Sequence, residues 1–172
     1  MKRLLSLFGA ISLVGASTTS LVACDTQYTE DELKQLKAEN QINTTNQEIK
    51  DNLEWIAPQE QPFNEVDNKY YYVIARNSMN NNWKLFKLKN YGEKGSGLKT
   101  DWGERPVGFI FTINNDILLA TGNLLDNSTE YIWGKGKYYK NYIKSVYRWN
   151  GEEQNVPVLD IDENGNIKVN GE

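Results

Sequence analysis

Lys69-Tyr70-Tyr71-Tyr72-Val73-Ile74-Ala75-Arg76-Asn77 and Trp83-Lys84-Leu85-Phe86-Lys87-Leu88-Lys89 decide the fold class. Both runs are dense in aromatic and β-branched side chains, which suit a pleated, packed surface better than a helix. Ser78 to Asn82 between them are turn formers, so the pair predicts an antiparallel hairpin.

The chain after this hairpin repeats the pattern. Gly92 to Gly97, with Ser96 inside it, and Gly103 to Pro106 read as loop. Val107–Ile113 and Ile117–Thr121 flank Asn114-Asn115-Asp116 and predict a second hairpin, because Asn tolerates the positive φ of a tight turn. Tyr131 to Trp133 and Tyr142 to Trp149 read as further strands, and Val156–Ile161 with Ile167–Val169 as a last hairpin around Asn164-Gly165. With no helical pattern between them, the expected class is mainly β: an antiparallel sheet or meander. Ile117 to Thr121 followed by Val146 to Trp149 resembles the paired strands of a propeller blade, but a blade takes about 40 residues and a ring at least four blades. That is more than the roughly 110 residues after Pro62 can supply, so a propeller-like blade fragment, a two-sheet meander or a small sandwich is expected.

Ahead of the hairpin the periodicity is helical. Thr29-Glu30-Asp31-Glu32 spells a capping box and predicts a helix from about Glu30 to Asn40. Its many charges make it a solvated stalk. A second box, Thr45 to Glu48, opens a predicted helix with Ile49, Leu53 and Ile56 on one stripe, stopped by Pro58. Trp55 on this segment is expected to dock on the domain.

The first residues have the order of an export leader. Lys2 and Arg3 precede the apolar run Leu4 to Val14, and Ser17 to Ser20 are small and polar. The run is shorter than the roughly 20 residues a span requires. Leu21-Val22-Ala23-Cys24 matches a lipobox, and Cys24 is the only cysteine. A thiol can carry a diacylglyceryl group as a thioether, and two or more acyl chains hold a membrane where one does so marginally. The expected organisation is a cleaved signal peptide over 1–23, a lipid-anchored tether with one or two helices over 24–62, and an antiparallel β domain over 63–172.

Composition excludes several classes. The formal charge is −4, and cleavage would remove Lys2 and Arg3 as well, so no nucleic-acid partner is expected. There is no His, so a Ser-His-Asp triad or a His metal cluster cannot form. An acylated Cys24 leaves no thiol nucleophile. Gly95-Ser96-Gly97 lacks the spacing of a nucleophile elbow. Asp101 with Glu104, and Asp116 with Asp126, are the only acid pairs to nominate for hydrolysis. Asn43-Thr44-Thr45 and Asn127-Ser128-Thr129 spell glycosylation sequons and read as polar loop.

Two stretches could bind. Asp160, Asp162 and Asn164 occupy the first, third and fifth positions of a calcium-loop spelling with Gly165 sixth, but Gly171 stands where the bidentate Glu belongs. A hairpin turn would use the same residues, so no metal or other cofactor is expected beyond the lipid on Cys24. Trp133, Lys135, Lys137, Tyr138, Tyr139 and Lys140 interleave aromatics with cations. Such a stretch can stack on bases or sugars or sit at an anionic lipid surface. The reading preferred over these is that its aromatics are core and edge residues of a hairpin and its lysines guard the solvent face against aggregation.

The leader, the junction Asn52-Leu53-Glu54-Trp55-Ile56-Ala57-Pro58, the Tyr-rich strand, the Asn-Trp-Lys strand and Val146 to Glu152 resemble those of spiroplasma-type mollicute lipoproteins. That resemblance implies a cell-surface lipoprotein of no established activity. The expected role is a membrane-anchored extracellular module that binds or adheres, with the bilayer and a host or surface ligand as partners. A transporter's solute-binding lipoprotein is the alternative, and a surface glycosidase a more distant one.

Overall fold

The computed structural model describes residues 27–63, 65–91, 97–100, 108–113, 116–121, 129–135 and 139–170. Among these residues two α-helices, α1 (Glu30–Glu39) and α2 (Gln47–Asn52), precede all the strands. The strands are β1 (Leu53–Trp55), β2 (Tyr70–Ala75), β3 (Lys84–Lys89), β4 (Gly97–Thr100), β5 (Gly108–Ile113), β6 (Asp116–Thr121), β7 (Thr129–Ile132), β8 (Ile143–Trp149), β9 (Leu159–Ile161) and β10 (Ile167–Val169). They form one sheet in the order β1-β8-β2-β3, a second in the order β4-β5-β6-β7, and the hairpin β9-β10. Every pairing is antiparallel. The fold is mainly β, as the strand-rich sequence implies.

The first sheet is a central layer, and β2 shows why. Alternation sends Tyr71, Val73 and Ala75 to one face and Tyr70, Tyr72 and Ile74 to the other. Tyr71 through Ala75 are all buried. One face packs with Ile56, Phe63, Phe86, Ile143 and Val146, and receives Ile117 of β6 and Trp133 just beyond β7. The opposite face packs with Ile42, Ile49, Leu53, Tyr147 and Trp149, and is covered by Leu159, Ile161, Ile167 and Val169 of the last hairpin. A strand buried on both sides has no polar face to display, hence its unbroken apolar run.

A bulge in β8 tunes this arrangement. Ile74 pairs with Ser145 but Ala75 pairs with Ile143, so Lys144 is the extra residue. Strict alternation from Val146 would point Ile143 to the opposite core. The bulge instead returns it to the side of Val146. Lys144 swings outward, and its Nζ donates to Asn164 O (2.5 Å) and Asn166 Oδ1 (2.8 Å), fastening the β9-β10 turn to β8.

Two elements differ from the sequence reading. The helix expected to run to Pro58 ends at Asn52, with Asn46 rather than Thr45 as its N-cap (Asn46 Oδ1 accepts from Ile49 N, 3.1 Å). Leu53–Trp55 then pair with Trp149–Tyr147 as an edge strand. Ile49 and Leu53 enter one core and Ile56 the other, which strand alternation allows and a helical stripe does not. The second difference is β4, which includes Gly97 at the end of the stretch read as loop and pairs with β5. The capping box of α1 is present as spelled, Glu32 N and Thr29 Oγ1 being 3.3 Å apart and Thr29 N and Glu32 Oε2 2.9 Å apart.

Candidate functional site

Glu54 on β1 is the centre of the most connected polar site among the described residues. Its neighbours across the first sheet are Arg148 and then Tyr71, so all three share a row on one face. Arg148 Nη2 donates to Glu54 Oε2 (2.8 Å), as does Asn150 Nδ2 (2.8 Å), while Lys37 of α1 donates to Oε1. Lys37 also reaches Glu60 Oε1 (2.7 Å), and Glu60 Oε2 accepts from Ala57 N (2.7 Å). At the other end of the row the Tyr71 hydroxyl donates to Asp67 (2.6 Å), which is also held by Lys69 N and Asn90 Nδ2.

Burial by itself would raise the Glu54 carboxyl. Hydrogen bonds from Lys37, Asn150 and Arg148 outweigh it and hold the group at about 2. The Tyr71 hydroxyl is raised instead, by burial and by the Asp67 carboxylate. A carboxylate held so low is a fixed anion at neutral pH. It anchors three donors and is no proton donor for catalysis. The adjoining groove, about 320 Å³ and lined by Lys37, Gln41, Lys50, Asp51, Glu54 and Trp55, carries charge of both signs.

This site makes stability depend on acidity. Because Glu54 is lower in the folded protein than its ordinary 4.5, its contribution is complete above that value and is lost as pH falls towards 2. With the side chain 25% exposed, solvent screening reduces the effect to about 1 to 2 kcal/mol. Urea unfolding followed across this range should show the loss, and Glu54→Gln should flatten it. An identical slope in the variant would assign the acid sensitivity elsewhere.

The basic and aromatic stretch divides. Trp133 is 3% exposed and belongs to the core, its backbone N bonded to Ile117 O (2.9 Å). Tyr139 is half-buried against the same core, and its hydroxyl is pushed up to about 12 by burial, with the neighbouring Tyr28 adding to it. Lys135 and Lys140 are exposed, the Lys140 ammonium lying 5.9 Å from the Tyr139 ring centre. Lys137 and Tyr138 lie outside the described residues. Gly134 places its backbone directly on the Pro58 ring. The segment therefore abuts the turn Pro58–Glu60.

At the β9-β10 turn, Asp162 Oδ1 accepts from Asn164 N and Asn166 N (both 2.8 Å), and Oδ2 from Asn166 Nδ2 (2.9 Å). These bonds hold the carboxyl below its ordinary range. Asp160 Oδ1 accepts from Ile161 N (2.8 Å). Gly165 takes φ +74° with the Trp83 ring against it. Asp162 thus closes the turn through its own side chain, and no group of three or more acidic, His or Cys side chains that could hold a metal occurs among the described residues. Asp101, Glu104 and Asp126 lie outside the described residues; Asp116 opens β6.

Sequence reasoning missed the Glu54 site and a second surface cluster. Tyr70 has Lys89 and Lys87 at 5.2 and 5.5 Å from its ring centre, and Glu153 Oε1 accepts from both the Tyr70 hydroxyl (3.1 Å) and Lys89 (2.6 Å). The signal for the first was Arg148 itself, a charge set between Tyr147 and Trp149 that has to meet an acid when the strand is central. The chain matches no protein family, no curated protein and no solved structure. No helix among the described residues is long and apolar enough to cross a membrane.

Proposed function

We propose that this chain is a lipid-anchored surface protein whose β domain binds or adheres at the outer face of the cell membrane. The observation that carries this reading is Cys24, the sole cysteine, placed directly after an export leader and four residues before Tyr28. The Tyr28 backbone is the first point at which the described chain is fastened to the domain, through Gln59. A diacylglyceryl thioether on Cys24 would hold the protein to the bilayer. The residues between Cys24 and Tyr28 would be the tether, since α1 is tied by Lys37 to Glu54 and Glu60 and β1 already belongs to the first sheet. The resemblance to spiroplasma-type mollicute lipoproteins supports the same location. The second sheet, four consecutive strands within Gly97–Ile132, has the length of a propeller-like blade, a shape suited to presenting loops to a ligand.

Cys24→Ala is the direct test. The variant should leave the detergent phase for the aqueous phase or accumulate as the uncut precursor. Unchanged detergent partitioning with the leader removed would mean that the anchor lies elsewhere. A glycan and host-surface binding screen on the anchored protein would then identify the ligand class.

A further inference from the structure

Tyr28 is held by a two-way amide clamp. Its N donates to Gln59 Oε1 (2.6 Å), and Gln59 Nε2 donates to its O (2.9 Å). Gln59 belongs to the turn that begins at Pro58, and Pro58 packs against Gly134. Tyr139 packs on the core that holds Trp133, the residue before Gly134, and the Tyr28 hydroxyl adds to the upward shift of its own. Tyr28, Gln59, Lys135, Tyr139 and Lys140 thus form one edge of the domain, at the point where the chain leaves towards Cys24.

Four residues span at most about 14 Å when fully extended. The headgroup layer is about 5 to 7 Å deep, so a lipid on Cys24 leaves this edge little room to stand clear. Downstream, α1 supplies no extra reach, because Lys37 ties it to Glu54 and Glu60. Two exposed cations and a half-buried tyrosine are the side chains expected at a headgroup interface. The acidic opening of α1, Glu30, Asp31 and Glu32, is next in the chain and opposes a strongly anionic surface. Glu32, though exposed, is engaged by its cap, accepting from Thr29 N and Thr29 Oγ1 (both 2.9 Å).

Resting on the proposed anchor, we infer that the edge formed by Tyr28, Gln59, Lys135, Tyr139 and Lys140 lies directly on the lipid headgroup layer as a second membrane contact. The opposite cover of the first sheet, the β9-β10 hairpin, then faces away from the cell. The bilayer is what this edge meets, and a soluble ligand binds elsewhere on the domain.

The test uses the full acylated protein in vesicles of phosphatidylcholine with phosphatidylglycerol as the minority lipid, with pure phosphatidylcholine as the second arm. Amine labelling is read lysine by lysine by mass spectrometry. Lys135 and Lys140 should label roughly fivefold more slowly than Lys168 on β10 and Lys87 on β3, with the larger protection in the anionic vesicles. Equal labelling of all four in vesicle-bound, acylated protein overturns the orientation and leaves the anchor intact. Protein that carries no acyl group on Cys24 and does not float with the vesicles overturns both.

Discussion

Replacing Trp149 with alanine should remove about 4 kcal/mol of folding stability, the range for deleting a large aromatic from a packed core. Trp149 is 1% exposed and ends β8 opposite Leu53. It belongs to the core that joins the first sheet to α2 and the last hairpin. Its indole Nε1 donates to Glu152 O (2.9 Å), and Gly151 lies against the ring so closely that a Cβ there would come within 2.5 Å of Cζ2. Alanine therefore loses the ring, the hydrogen bond and the stop that shapes the Asn150–Glu152 turn. Thermal unfolding should fall by roughly 8 to 16 °C for a domain of this size. Trp149→Phe, which keeps most of the buried area, should lose less than half as much. A loss below about 2 kcal/mol for the alanine variant would show that this core does not hold the hairpin in place.

How far the sequence revealed this fold depended on whether each signal was local. Tyr71 to Ala75 and Val146 to Trp149 read as strands because their β-rich composition is carried by adjacent residues, and Asn164-Gly165 marks a turn for the same reason. The segment Ile49 to Ile56 misled because spacings of four and three fit one helical stripe, while the segment in fact crosses from one core to the other through a strand. What decides between the two is the empty edge of β8, which lies almost a hundred residues away. Gly97-Leu98-Lys99-Thr100 has a single apolar residue and no local preference, so only its pairing with β5 makes it a strand. The Glu54 site was hidden in the same way: Lys37 comes from α1, Arg148 from the far end of β8 and Asn150 from just beyond it, and only the sheet register places Glu54 opposite Arg148. The basic and aromatic stretch was visible as composition. That it borders the chain's exit towards Cys24 follows from the Gln59 clamp and the Gly134 contact, neither of which has a sequence signature.

Gly134→Ala should cost about 3 kcal/mol, from two sources that can be separated. Gly134 has φ +78°, a left-handed conformation that costs an L side chain about 1 to 2 kcal/mol. In addition, an added Cβ would overlap Pro58 Cβ and lie 2.8 Å from Pro58 Cγ. Proline cannot swing away through a rotamer change, so either the Trp133–Lys135 backbone or the Pro58–Glu60 turn must move, at about 1 to 3 kcal/mol for overpacking. Movement of the turn would reach both of its partners, since Gln59 clamps Tyr28 and Glu60 holds Lys37. The variant should therefore show faster amide exchange at Tyr28 and through α1 as well as lower stability. Pro58→Gly removes the obstructing ring atoms and leaves the nearest contact the Pro58 Cα position at 3.5 Å. Combined with Gly134→Ala, it should recover roughly 1 to 2 kcal/mol relative to the sum of the single losses, leaving the backbone strain in place. Strictly additive losses would mean that the ring contact is not what the glycine relieves, and that the edge carrying Lys135 is positioned by something other than Pro58.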